Sequence, residues 1–463
     1  MLPYVIKNFR GGISDEAGIG IKGAFKNGQS LDIHKRVDSL SCQQAMKKES
    51  GATVTDLILF IVPASDGNSY HFGNAGKIYK RTALGVWSLV YTDSNGAILG
   101  ACEWNGVIYW ATGTKVSNKP FPGLSDWSDV AHNWKSLTSA DWHTMIVGAG
   151  VQGDLFICNG ENLAMVDYLG VFTADAVKII PNNITKCLES DDIDIIIGSV
   201  MGGDAEKGYL WAWNTLLANW KQRKKIPVKG VNAIVTTDIM LAQAGEDGEV
   251  FFSDMVNRIP AFTIPYGGKV NPGGVTSKGN LAVFGIYGSD HCGIYTYGKT
   301  DRNRNYALNL EYILSMGKLT GIEIGATEMV GDDLLVSWKD GTTYGVDVID
   351  TANKADAIYE SLDFDGGSPS IGKPFTQVKL IMKPLPIHCS VKVKYRLNKT
   401  GAFVKAYWGD GTEVYEVTDG TKVIFNTGGE GEIYEVRVEL YSYNDTTPEI
   451  MSVTSYFDSI EEY

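Results

Sequence analysis

A short phrase recurs along this chain and limits what it can fold into: a glycine, a spacer, a branched apolar residue and an aromatic one. It is read at Gly76-Lys-Ile78-Tyr79, Gly106-Val-Ile108-Tyr109, Gly153-Asp-Leu155-Phe156, Gly208-Tyr-Leu210-Trp211 and Gly248-Glu-Val250-Phe251. Weaker copies follow at Gly293-Ile294-Tyr295 and Gly341-Thr-Thr-Tyr344. The mean period is about 44 residues, within the range of propeller blades. Each copy follows an apolar run, such as "LILFIV" from Leu57, "AILGACEW" from Ala97 or "LAVFGIYG" from Leu281. Turn pairs such as "EWNG", "GEDG" and "WKDG" separate run from copy, the chemistry that supplies positive φ in tight hairpins.

A run, a turn, a copy and outer strands make one four-stranded unit with two apolar faces. Such a unit buries both faces only by stacking on its neighbours. The expectation is an all-β chain with a β-propeller over residues 51–365, of seven blades or six, glycines and small residues falling where inner strands crowd the axis. The phrase matches neither the WD40 nor the kelch signature, and no Ser-x-Asp-x-Gly box is present. Composition agrees: 53 Gly, 23 Tyr, 16 Phe and 11 Trp favour strands and turns over helices.

The pattern changes after "DFDGGSPSIGKP". In "SVKVKYRLN", Val391, Val393, Tyr395 and Leu397 alternate with Lys392, Lys394 and Arg396, and "YEVRVELYSY" alternates through Tyr434, Val436, Val438 and Leu440. Residues 366–463 are therefore expected to form an antiparallel β-sandwich that docks on other proteins. Residues 1–50 hold no copy of the phrase and are rich in glycine and charge. They are expected to form an extended arm, either closing the ring with one strand or reaching a neighbouring subunit.

Net charge is −13, which opposes nonspecific phosphate binding. No apolar run reaches the roughly 18 residues of a membrane helix, and the start lacks the pattern of a secretory signal. Six separated cysteines (Cys42, Cys102, Cys158, Cys187, Cys292, Cys389) are expected as free thiols, mostly buried. The sequons at Asn183, Asn398 and Asn444 carry no weight without an export signal.

Neither HExxH, a phosphate loop nor GxSxG occurs, and "NPGGVTSKGN" around Gly273 reads as a turn. No catalytic, cofactor or metal residues are assigned, and an enzyme is not expected. His291 beside Cys292 and His388 beside Cys389 would point to opposite faces of a strand. Asp191, Asp192 and Asp194 read as a turn rather than a calcium loop. "KQRKK" (Lys221 to Lys225) reads as a solvated loop or an ion-pairing segment. Trp127, Trp134 and Trp142 are candidates for stacking on sugars, weighed against plain packing within the blades.

The start "GGISDEAGIGIKGAF" with "NGQSLDIHKRVDSLSCQQAMKKES", the repeat region, and the end "YEVRVELYSYNDTTPEIMSVTSYFD" together resemble a group of tailed-phage virion proteins. In that group a glycine-rich start precedes a phrase like "SLDI", and the last strands carry a Thr-Pro-Glu link. Tail nozzle proteins of short-tailed phages are similarly built around propellers. The resemblance implies a structural subunit of the virion tail or neck, made in the bacterial cytoplasm and assembled with other virion proteins, as a homo-oligomeric ring passing viral DNA without specific binding. The alternative is a propeller at the tail tip that binds a receptor or host surface glycan.

Overall fold

The structure, a computed structural model, describes residues 2–14, 23–35, 39–123, 126–148, 153–191, 193–202, 207–253, 255, 260–300, 305–365, 371–408 and 415–458. Among them every regular element is a strand. Contacts divide the chain into two compact units: residues 1–46, 294–315 and 349–463 form one, and residues 47–293 and 316–348 the other. This is not the consecutive partition into 1–50, 51–365 and 366–463. A division drawn on sequence runs cannot register segments that leave one core and return to it.

The second unit holds a ring of strands. We label seven of them β1 (Ile58–Pro63), β2 (Ile98–Trp104), β3 (Met145–Val147), β4 (Asn183–Ser190), β5 (Val231–Thr236), β6 (Val275–Lys278) and β7 (Ile322–Val330). They touch in the cyclic order β1 to β7, with β7 returning to β1. From β1, β2, β3, β4 and β5 a four-stranded antiparallel meander runs outward, and β6 pairs with Leu281–Tyr287 in the same way. The sheet beginning at β7 runs through Asp333–Asp340 and Thr343–Lys354, and its fourth strand is Gln44–Lys48, from near the N-terminus. The ring is a β-propeller.

The axis is crowded, as the glycine runs implied. A Cβ on Gly100 would lie 1.7 Å from the His143 carbonyl oxygen, and one on Gly325 would lie 2.0 Å from that of Ile58. Between sheets, apolar residues of adjacent meanders form shared clusters, for example Ile98, Ile108 and Trp110 against Phe60, Tyr70 and Phe72.

The phrase itself does not mark one structural position. The copies at Ile108 and Leu155 lie on second strands of their meanders, those at Ile78, Leu210 and Val250 on third strands. The preceding runs split likewise: "LILFIV" and "AILGACEW" are innermost, whereas "IDIIIGSV", "LAVFGIYG" and "DLLVSW" form second strands. Both hairpin turns of a meander need the same turn chemistry, so glycine followed by β-formers marks either one. The period survives because it is a property of the whole unit.

In the first unit two sheets contribute to one core. One has the order Leu2–Ile6, Ile450–Phe457, Lys373–Met382, Lys422–Asn426, Tyr407–Trp408. The other includes Ala24–Gln29, Ala357–Ser361, Tyr434–Tyr441, Ser390–Leu397 and Val404–Lys405 in that order. Phe375, Val378 and Leu380 of the first pack with Val391, Val393, Val436 and Val438 of the second. The strict alternation pays off on the other face, where Lys394 pairs with Glu439 at 2.6 Å and Arg396 makes a two-pronged contact with Glu435.

Where they are described, the first 50 residues form strands paired with later parts of the chain, Gln44–Lys48 among them. Leu2–Ile6 pairs with the last strand from Leu2↔Phe457 to Ile6↔Val453, and Ala24–Gln29 pairs with Ala357–Ser361. Part of the arm (15–22 and 36–38) and the junction 366–370 lie outside the described residues.

Candidate functional site: the two ends of the propeller

Neighbouring inner strands meet at like ends, so they run in parallel. Just beyond β1, the Ser65 N–H donates to Glu103 near the end of β2 at 2.8 Å. Near the end of β7, Glu328 accepts from Thr276 of β6 at 2.7 Å. Glu189, near the end of β4, accepts from the Thr236 N–H at the end of β5. This places Glu103, Glu189 and Glu328 at the same end of the ring.

Glu189 and Glu328 are enclosed by protein on most sides. Burial pushes each carboxyl up to about 7, against an ordinary 4.5, and the backbone and side-chain donors beside them offset only part of that penalty. The charge of Glu328 also raises Glu189, so the two carboxyls sense each other. Each is therefore harder to ionise than an exposed carboxyl.

The same strand β4 carries the opposite sign toward its other end. Lys186 donates to Asn232 Oδ1 at 2.7 Å, and burial lowers its ammonium to about 8. Asn232 in turn donates to Gln243 Oε1 at 2.9 Å and to the Gly245 carbonyl at 2.6 Å. The propeller axis is thus polar at both ends, and each end is tied together by hydrogen bonds between sheets.

At the carboxyl end, the turns joining third and fourth strands emerge on the outside of the ring. Two of them share one design. In "TALGV" the Thr82 N–H donates to the Val86 carbonyl, the Val86 N–H to Thr82 Oγ1, and the Gly85 N–H to the Thr82 carbonyl. In "DYLGV" Asp167, Val171 and Gly170 make the same three bonds. Gly85 and Gly170 have φ of 75° and 81°, values that glycine adopts without strain. A third turn starts at Asn214, whose Oδ1 accepts from the Leu216 N–H at 3.0 Å. Each turn lifts a leucine into solvent: Leu84 is 91% exposed, Leu169 70% and Leu216 81%. In the intervening meander, Phe121 occupies the same connection and is 72% exposed. Four consecutive meanders therefore present one large apolar tip each on one end of the propeller. The sequence signal is Thr, Asp or Asn two residues before a leucine, which recurs at all three leucine turns.

The residues singled out from sequence lie elsewhere. Trp127 is buried, tilted against Tyr70 and Trp110 and stacked on Tyr91. Trp134 packs on Tyr109 and Phe172, and Trp142 on Phe60. "KQRKK" is not a loop: Gln222–Ile226 is a fourth strand, and the buried Lys224 donates to the Phe252 carbonyl. Arg223 lies over Tyr209 and Trp211, and Lys221 pairs with Asp194. Asp191 accepts from the N–H groups of Ile193 and Asp194, which makes a turn; Asp192 lies outside the described residues.

His291 packs on Tyr266 while Cys292 Sγ faces the Lys318 carbonyl. His388 is exposed against Tyr443, and Cys389 is buried beside Thr446. Among the described residues no three His, Cys, Asp or Glu side chains converge as metal ligands would. All six cysteines are free, five of them buried and Cys102 partly so. Burial pushes Cys42, Cys102 and Cys187 up to about 12. The turn at Gly273 is tight for a packing reason, since a Cβ there would lie 2.1 Å from the Leu59 carbonyl oxygen.

No family model matches the chain, and no curated protein matches it. Solved structures similar to it include the Neurospora crassa Pan2 WD40 domain, 10% identical with a TM-score of 0.45 over 68% of this chain and 97% of that one. A streptogramin B lyase is 10% identical, with a TM-score of 0.47 over 67% and 97%. The RRP9 WD40 repeats are 12% identical, with a TM-score of 0.48 over 66% and 98%. The propeller of this chain rests on its own strand pairing and ring closure, not on these likenesses.

Proposed function

We propose that this chain is a non-enzymatic structural component of a tailed-phage virion, a tail or neck subunit that assembles with other virion proteins. Its propeller is read as seven-bladed and its other unit as a two-sheet β-sandwich that serves for docking. The observation that carries the reading is how two early segments are tied to distant parts of the chain. Leu2–Ile6 is zipped to the final strand Ile450–Phe457, and the segment at Lys47–Glu49 closes the last propeller sheet through the Glu49 N–H to the Val346 carbonyl. Arg81 then binds both Glu49 and Asp333, at 2.7 and 2.8 Å, with its own side chain nearly buried. Segments tied back in this way suit a subunit that must keep its shape under load, because local opening starts where strands have few partners.

The propeller's own axis is too crowded by inner strands to pass a duplex, so any viral DNA would move through a ring of subunits. There the net charge of −13 would keep phosphate from sticking to the wall. Immunogold labelling of intact particles with an antibody to this chain tests the reading. Label at the neck or tail is expected; unlabelled particles, with the epitope shown to be accessible, would refute it.

A further inference from the structure

We propose that the arc of apolar turn tips is a contact face for a second copy of this chain. Leu84, Phe121, Leu169 and Leu216 stand on four consecutive meanders at one end of the propeller, and Val86 and Tyr168 beside them are exposed as well. Three of these turns are braced by a side chain of their own, Thr82, Asp167 or Asn214, so the tips are held in place rather than loosely exposed. Isolated exposed apolar side chains are ordinary on a protein surface; a series at equivalent positions is not.

Three observations select a second copy as the occupant. The six side chains present on the order of 800 Å² of apolar surface, about what each partner brings to a stable interface. Two bodies of charge −13 repel, so they meet best where formal charge is sparse, and the stretch from Thr82 to Thr92 contains no charged residue. Of the charged residues beside the tips, Lys221 near the Leu216 turn is already paired within the chain, with Asp194. A two-fold contact requires a surface that is complementary to itself, and apolar tips set against apolar tips meet that requirement without counter-charges.

Sedimentation velocity of the full chain over a wide concentration range tests this. The wild type is expected to dimerise with concentration. The triple variant Leu84→Asp, Leu169→Asp, Leu216→Asp is expected to raise the dissociation constant at least about 100-fold, since truncated central anchors commonly cost tenfold or more each. The same three positions changed to methionine should keep the dimer, and Ile387→Asp, an exposed apolar site in the other unit, should not affect it. Far-UV circular dichroism establishes that each variant is folded, and a set with serine replaces any aspartate variant that is not. A wild type that stays monomeric throughout overturns the proposal, whether or not it binds vesicles or another protein, and so do tip variants that dimerise as the wild type does. Neither result bears on the particle labelling, so this contact can fail while the virion reading stands.

Discussion

Replacing Glu328 with glutamine should make the propeller more stable at neutral and alkaline pH, and should leave it unchanged in acid. The carboxyl sits near the end of β7, accepting hydrogen bonds from Thr276 Oγ1 at 2.7 Å and the Met329 N–H at 2.9 Å. Glutamine keeps an oxygen able to accept both and never ionises. Burial raises the acid from 4.5 to about 7. Below about pH 4.5 folded and unfolded chains both hold the proton. Between about 4.5 and 7 the unfolded chain releases it while the folded chain keeps it, so ionisation favours unfolding and stability falls as pH rises. Above about 7 both forms are ionised and the penalty is constant. At 1.36 kcal/mol per pH unit the penalty is about 3 kcal/mol, trimmed to about 2 by the water that reaches part of the carboxyl. Urea unfolding followed by tryptophan fluorescence suits the test, because every tryptophan except Trp408 lies in the propeller unit. The expected gain for Glu328→Gln is about 2 kcal/mol at pH 8 and none at pH 4. An equal gain at both pH values, or a loss at pH 8, would refute the burial argument and mean that the carboxylate is satisfied as an ion.

Other outcomes follow from the same kind of reasoning. Arg81→Met leaves Glu49 and Asp333 without their cation, with only the Trp87 indole N–H still donating to Glu49, and should destabilise the propeller by about 3 kcal/mol in urea unfolding. Gly325→Ala places a methyl group 2.0 Å from the Ile58 carbonyl oxygen; a backbone shift at the axis is required, and a loss of at least about 2 kcal/mol is expected. In the other unit, Glu435 is buried, which alone would raise its carboxyl, but hydrogen bonds from Arg396 and Lys26 hold it at about 2. Its contribution is therefore complete above about pH 4.5 and is lost as pH falls toward 2, so Glu435→Gln should flatten acid unfolding of that unit monitored by hydrogen exchange. Five buried thiols should resist a water-soluble thiol reagent in the native chain and react together once urea unfolds it.

How much of this could be read from the sequence depended on whether the signal was local. The period of about 44 residues came through because each meander needs its own turns and apolar strands. The alternation of Val391, Val393 and Tyr395 with Lys392, Lys394 and Arg396 likewise maps directly onto a buried and an outer face. Long-range pairing left no such trace. "LPYVI" is a plausible strand anywhere, and nothing in it names Ile450–Phe457 as its partner. The same holds for Gln44–Lys48, whose place as the closing strand is set by Val346 and its neighbours some 300 residues away. Trp127, Trp134 and Trp142 drew attention by chemistry, yet large rings are the cheapest way to fill the wedge between meanders. Glu189 and Glu328 look ordinary in the sequence, since a carboxyl becomes hard to ionise only when the fold buries it.

The central proposal is a propeller of seven blades whose last sheet is completed by Gln44–Lys48. A cryo-EM or crystal structure of the purified full chain measures it directly. The account predicts seven sheets around the axis, with Gln44–Lys48 as the outer strand of the last one and Arg81 joined to Glu49. Six sheets, an open ring, or a last sheet closed by any other segment would contradict it.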